Sequence, residues 1–238
     1  MDRPGVNARL GPGSRKAGPI LPAVPRTARD GADAGAGPPP GKAAPAHGAR
    51  ERVLEAAYEL FSRQGVRAVG VDTIIERAGV AKMSFYRHFP SKDDLVLAFL
   101  ARREERWTRA WLEGEVRSRA VAPEERLLAI FDVFDSWFRR DDFEGCSFIN
   151  TLLEVSEPGH PVRKASVAHL SAIRAFIAEL AGEAGIADPE GFARKWHILM
   201  KGSIVAAGEG DPQAGRRARE VGSLLLAAEL SPDAPALP

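Results

Sequence analysis

From Ala49 onward, apolar residues recur at intervals of three and four, and nowhere do they alternate in twos, so the pattern predicts helices and no strands. The first stripe, Val53, Ala56, Ala57, Leu60 and Phe61, ends at Gly65. The second, Val71, Ile74, Ile75 and Ala78, stops at Gly79, a residue suited to the left-handed conformation that closes a helix. A short stretch with Phe85 and Phe89 is halted by Pro90, and a long one runs from about Lys92 to Glu115 through Leu95, Phe99, Trp107 and Trp111. Later stripes are Leu127, Ile130, Phe131, Phe134, Trp137 and Phe138, then Phe148, Ile149, Leu152 and Leu153. After a break at Pro158, Gly159 and Pro161 come Val167, Leu170, Ile173, Phe176, Ile177 and Leu180, then Phe192, Trp196, Leu199, Met200 and Ile204, then Val221, Leu224, Leu225 and Ala228. An all-α chain follows, with a small three-helix unit at residues 49–93 and a larger helical bundle at residues 94–230.

The segment Val71–Phe89 reads as a helix-turn-helix. Phe85 and Phe89, four apart, turn one side of the second helix toward a core, and Lys82, Met83, Tyr86 and Arg87 occupy the other side. That outward set suits a DNA duplex: lysine and arginine reach guanine edges or phosphates, methionine touches a thymine methyl, and the tyrosine hydroxyl donates to a phosphate oxygen. Ser91 is placed to cap the next helix with Asp94 at its third position, which puts Lys92 at the helix start, either as a phosphate clamp or as an ordinary solvated lysine. His88, beside Phe89, either meets a phosphate or satisfies a local hydrogen bond.

The runs ERVLEAAYELF, GVRAVGVDTI and AGVAKMSFYRHFPSKDDL, within Arg50–Lys92 and its immediate flank, resemble the N-terminal domain of the TetR family of transcriptional regulators over about a fifth of the chain. The resemblance implies that Lys82, Met83, Tyr86 and Arg87 contact bases and that Ser84, Tyr86, His88 and Lys92 touch the DNA backbone. It also implies a C-terminal domain that binds a small effector inside its bundle, shifts the fourth helix and separates two reading heads. Two positions depart from the family pattern: Gly70 replaces a serine or threonine cap, and Ala81 replaces a polar residue at the start of the reading helix.

Charge sharpens this picture only modestly. Residues 1–48 carry seven Lys and Arg against three acids, residues 49–92 eight against five, and the remainder eighteen against twenty-four, so the positive charge lies where DNA would be. Residues 1–48 also hold nine of the 18 prolines, a composition that cannot bury enough apolar surface to order itself. This arm is either an inert disordered leader or a source of minor-groove arginines. Residues 231–238 are expected to form a short disordered tail. One cysteine permits no intrachain disulfide, Pro22 and Pro25 interrupt the early apolar pair Ile20-Leu21, and no apolar run approaches the roughly 18 to 20 residues of a membrane span. A cytoplasmic protein without a membrane role is expected.

In the larger unit, Trp107, Trp111, Phe131, Phe134, Trp137, Phe138, Phe148 and Phe176 are candidate walls of an effector pocket, or plain core, and a mainly apolar ligand is expected. Cys146, in the turn Phe143–Phe148, lines that pocket, senses oxidants or packs as a small buried residue; the acids Asp141, Asp142 and Glu144 oppose the thiolate that sensing requires. His160, His169 and His197 have no partner at a metal-binding interval, and no metal or other cofactor is expected. The last two stripes suit a homodimer seam built from Trp196, Leu199, Gly202, Ser203, Ala206, Val221 and Leu225, or else an intramolecular contact. Two heads about 34 to 36 Å apart can read a palindromic operator. The leading expectation is a repressor released by its effector. A non-specific or architectural DNA binder is the alternative, and a helical-bundle enzyme or carrier lacks any nucleophile–base set or phosphate loop to support it.

Overall fold

A computed structural model describes residues 48–231; of the arm and the tail, only Gly48 and Ser231 fall among them, and those two expectations otherwise lie outside the described residues. The helices are α1 (Ala49–Gln64), α2 (Val71–Ala78), α3 (Lys82–His88), α4 (Lys92–Arg103), a π-helical segment (Glu104–Glu113), α5 (Gly114–Arg119), α6 (Pro123–Phe138), α7 (Ser147–Glu154), α8 (Pro161–Glu183), α9 (Pro189–Gly208) and α10 (Ala214–Leu230). Among the described residues there is no strand. Proline stands at the first turn of α6, α8 and α9, where its missing N–H costs nothing. The α4 start carries a full capping box: the Ser91 hydroxyl accepts from the Asp94 N–H at 3.1 Å, and the Asp94 carboxylate accepts from the Ser91 N–H at 3.0 Å.

The first four helices close around Val53, Ala57, Phe61, Ile74, Phe85, Phe89, Leu95 and Phe99, all buried. Phe99 of α4 sets its ring edge-on against Phe61 and Tyr58 at 5.5 and 5.7 Å, so the first turns of α4 complete the core of the N-terminal unit. A division at residue 93 therefore cuts through one continuous core.

The rod after Lys92 differs from the single α-helix expected to end near Glu115. It continues to Arg119, and over Glu104–Glu113 its backbone widens to π-helical winding. The wider turn brings residues four and five apart onto one side, and Trp107, Thr108, Trp111 and Leu112 are buried together there. The Trp107 and Trp111 rings lie 5.4 Å apart and join Phe134, Trp137, Phe138 and Phe143 in one aromatic cluster.

In the bundle, α10 lies close against α6 and α9. A side chain on Gly215 would meet the Asp135 backbone at 2.7 Å, and one on Gly222 would meet the Phe131 and Trp196 rings at 2.8 and 2.9 Å. Members of the predicted stripes turn out exposed, Leu153 and Val167 one position off the buried face and Val221, Leu224 and Ala228 on the outer side of α10.

Candidate nucleic-acid interface and ligand cavity

Gly79 makes the turn between α2 and α3 with φ 61° and ψ 44°, the left-handed conformation its sequence position requires. Arg52 donates from Nε to the Ala78 carbonyl at 3.2 Å, and Arg77 grips Glu59 at 2.6 to 3.0 Å, so the C-terminal end of α2, just before the turn, is tied to α1. Phe85 and Phe89 anchor α3 in the core at a ring distance of 6.1 Å. This leaves Lys82, Met83, Tyr86 and Arg87 exposed on the opposite face, Met83 by 81%, with Ser84 and His88 half-buried at its margins. An exposed methionine of that degree on a rigid helix has no folding role. Neither Gly70 nor Ala81 supplies a side-chain cap to the helix it precedes.

One feature of this face was not anticipated: Asp72 of α2 stands 3.2 Å from Lys82 Nζ, and this hydrogen bond, with the attraction of the carboxylate, raises the lysine pKa. Asp72 was legible only as a helix-start acid. Lys92 is half-buried, its pKa lowered chiefly by that burial and partly restored by Glu154 and Asp93. Glu154, at the end of α7, also accepts from the Arg67 backbone N–H at 2.6 Å, and His160 lies 3.3 Å from Asp93, so the bundle touches the N-terminal unit beside Lys92.

A second contact between the two parts runs along the rod. Arg102 holds Glu51 through both guanidinium nitrogens at 2.6 Å and reaches Glu55 at 3.3 Å. Arg103 donates to the Tyr58 hydroxyl at 3.0 Å, and Arg106 lies 3.3 Å from Glu55 and 5.4 Å over the Tyr58 ring.

The bundle holds a narrow, partly open cavity of about 10 Å³, lined by Trp107, Phe134, Cys146, Ile149, Leu170, Ile173, His197, Met200, Lys201 and Ile204. Of the expected walls, Trp107, Phe134 and Cys146 line it. The others serve packing: Trp111, Trp137 and Phe138 belong to the aromatic cluster. Phe131 packs on Trp196 at 5.1 Å, Phe148 stacks on His169 at 5.0 Å, and Phe176 lies under the Arg117 guanidinium at 5.4 Å. The missed walls come mostly from α8 and α9; on α9 they are His197, Met200, Lys201 and Ile204, which interleave with the residues named for the seam.

The lining is not uniformly apolar. Trp107 Nε1 and His197 Nδ1 are buried without a hydrogen-bond partner. Burial, reinforced by the positive charges of Lys201 and Arg174, pushes the His197 pKa down to about 3, so its imidazole is neutral at pH 7. Burial likewise raises the Cys146 thiol pKa, which favours its reading as a packed wall over a reactive thiolate.

The expected seam also needs correction. Trp196 is fully buried between Phe131 and Phe192, and Ser203 is buried with its hydroxyl on the Met200 carbonyl, so both belong to the interior of the protomer. Gly202 and Val221 are exposed, and Leu199, Ala206 and Leu225 are half-buried. Ile198, Val205 and Leu224 are exposed large apolar residues beside them, Leu224 by 72%. Ile198, Gly202 and Val205 follow one helical line on α9, and Val221, Leu224 and Ala228 follow one on α10. The signal was present in the chain, as apolar residues lying off the core stripe. Among the described residues no group of three or more His, Cys, Asp or Glu could hold a metal ion, and no helix is long and apolar enough to cross a membrane.

Residues 53–99 match the family model of bacterial regulatory proteins of the tetR family, and residues 123–221 match that of the tetracyclin repressor-like C-terminal domain. The HTH-type transcriptional regulator YjdC of Escherichia coli is 25% identical over 158 residues, 65% of this chain and 81% of YjdC. The transcriptional regulator AcuR of Cereibacter sphaeroides is 28% identical over 198 residues, 78% of this chain and 85% of AcuR. A crystal structure of a TetR-type transcriptional regulator from Streptomyces avermitilis superimposes with a TM-score of 0.69 at 30% identity, covering 77% of this chain and 98% of that one.

Proposed function

Because this chain belongs to the TetR family and is a DNA-binding transcriptional regulator rather than an enzyme, we propose that it acts as a cytoplasmic homodimeric repressor, released from a palindromic operator by a small-molecule effector. The observation that carries the reading is the face of α3. Lys82, Met83, Tyr86 and Arg87 stand in water on a helix whose other side is locked by Phe85 and Phe89, so they are presented rigidly to a major groove. Ser84, His88 and Lys92 flank them, within reach of the DNA backbone.

A single head offers too few contacts for tight binding, and the exposed apolar lines of α9 and α10 supply a self-complementary surface through which two protomers present two heads. The cavity takes the effector, and the rod transmits its arrival. Trp107 lines the cavity, while its neighbours Arg102, Arg103 and Arg106 hold Glu51, Glu55 and Tyr58 of α1. A ligand that favours the arrangement with heads apart weakens operator binding by its differential affinity, commonly about 1 to 3 kcal/mol.

Recovery of genomic fragments bound by the purified protein tests this. The expected result is one enriched palindrome, lost with Tyr86→Ala or Arg87→Ala while helicity and dimerisation persist. Unchanged enrichment in both variants would remove α3 as the reader.

A further inference from the structure

Trp107 and His197 are 4% and 3% exposed, both line the same apolar chamber, and each has a buried ring nitrogen without a hydrogen-bond partner. A buried N–H left unpaired costs about 1 to 3 kcal/mol, and an indole can only donate, so an occupant with an acceptor oxygen removes that cost. Beside them on α9, one turn beyond His197, Lys201 also lines the chamber. Among the described residues Lys201 has no ion-pair partner; burial and then Arg174 act against its charge, and the Cys146 thiol alone favours it. Arg174, on α8, bonds only the neutral Ser171 hydroxyl, at 2.5 Å, and both cations act on His197. Half-buried arginines elsewhere among the described residues are met by carboxylates, as Arg102 is by Glu51 and Arg140 by Asp142, or by neutral oxygens, as Arg103 is by Tyr58 and Arg163 by the Leu152 and Val155 carbonyls. Among the described residues, Lys201 at the chamber and Arg174 on α8 thus carry positive charge with no carboxylate bonded to either.

Resting on the reading of this cavity as the effector site, we propose that the effector is a small organic anion with an apolar body, of the carboxylate class. Its head is held by the Lys201 ammonium and the Trp107 N–H. The neutral His197 imidazole adds an N–H in one tautomer, and Arg174 supplies positive potential from α8. The body lies against Phe134, Ile149, Leu170 and Ile173. An uncharged analogue of the same shape keeps the apolar contacts and leaves Lys201 uncompensated. The mainly apolar ligand that the family resemblance implied thus acquires a charged end.

The test is calorimetric titration of the full chain at pH 7 with straight-chain carboxylates of four to ten carbons and with benzoate, each beside its primary amide. At least one carboxylate is expected to bind about tenfold or more tightly than its amide. Lys201→Met is expected to remove that preference with the amide's affinity unchanged, and Lys201→Arg to restore part of it. Thermal unfolding of each variant establishes that it is folded, with Lys201→Gln as a second neutral variant. No binding by any carboxylate, equal affinity for acid and amide, or a preference that survives in folded Lys201→Met and Lys201→Gln would overturn the proposal. Anisotropy of a labelled operator, read in parallel, separates the two claims. A carboxylate that binds without displacing DNA contradicts effector release and leaves the ligand class intact. An uncharged compound that binds the chamber and displaces DNA does the reverse.

Discussion

Trp107 and Arg106 are neighbours on the π-helical part of the rod and face different partners. The indole lines the ligand cavity, and the guanidinium lies 3.3 Å from Glu55 and over the Tyr58 ring of α1. One peptide unit thus separates a residue that lines the chamber from one that holds α1.

Glu55→Gln and Arg106→Ala are therefore expected to reduce the coupling between effector and operator by about 0.5 to 2 kcal/mol, with effector affinity for the free protein little altered. The ratio of operator affinities with and without saturating effector measures it. An unchanged ratio in both variants would move the coupling path elsewhere, with the Glu154–Arg67 contact of α7 the next place to look.

The Lys82–Asp72 pair makes a separate prediction. Asp72 draws on the same cation that a phosphate or guanine would use, and both side chains are well exposed. Asp72→Asn is expected to raise operator affinity about two- to fivefold, the scale of an exposed ion pair, and to make binding more salt-dependent. Unaltered affinity across a salt series would mean that Lys82 points away from the duplex.

These relationships differ in how far the chain betrays them. The division of α3 into an anchored and an exposed face follows from the spacing of Phe85 and Phe89 against Lys82, Met83, Tyr86 and Arg87, because a straight helix fixes which residues share a side. Gly79 and the Ser91–Asp94 cap are equally local. The π-helical winding was not legible, since apolar residues four apart satisfy an α-helix as well. Nor was the fate of the aromatics, because Trp107 and Trp111 look alike in sequence and only packing decides which one borders a void. Trp196 was misplaced for a related reason: α9 has two apolar sides, and its larger residues fill the core.

His197 gives the protein a pH dependence whose sign can be worked out. Its pKa falls from an ordinary 6.5 to about 3 on folding, so between those values the unfolded chain takes up a proton that the folded one refuses. The contribution is fully present above pH 6.5 and is lost as pH falls, by up to about 1.4 kcal/mol per pH unit. Urea midpoints at pH 7 and 5.5 are expected to diverge more in the wild type than in His197→Gln. Equal divergence would mean that water reaches the ring.

The two sides of α10 separate folding from assembly. Gly222→Ala drives a methyl into the Phe131 and Trp196 rings and is expected to cost about 1 to 3 kcal/mol of stability. Leu224→Asp, on the exposed side, is expected to leave secondary structure intact and shift sedimentation toward the monomer. A stable Leu224→Asp dimer would exclude this face from the seam.

The central claim, a helix that reads sequence, is tested most directly by competition. With the selected palindrome labelled and random duplex as competitor, at ordinary salt and without small molecules, the palindrome is expected to bind about a thousandfold or more tightly than random DNA. Equal affinity for both duplexes, with a steep loss of binding as salt rises, would contradict it and identify an architectural binder.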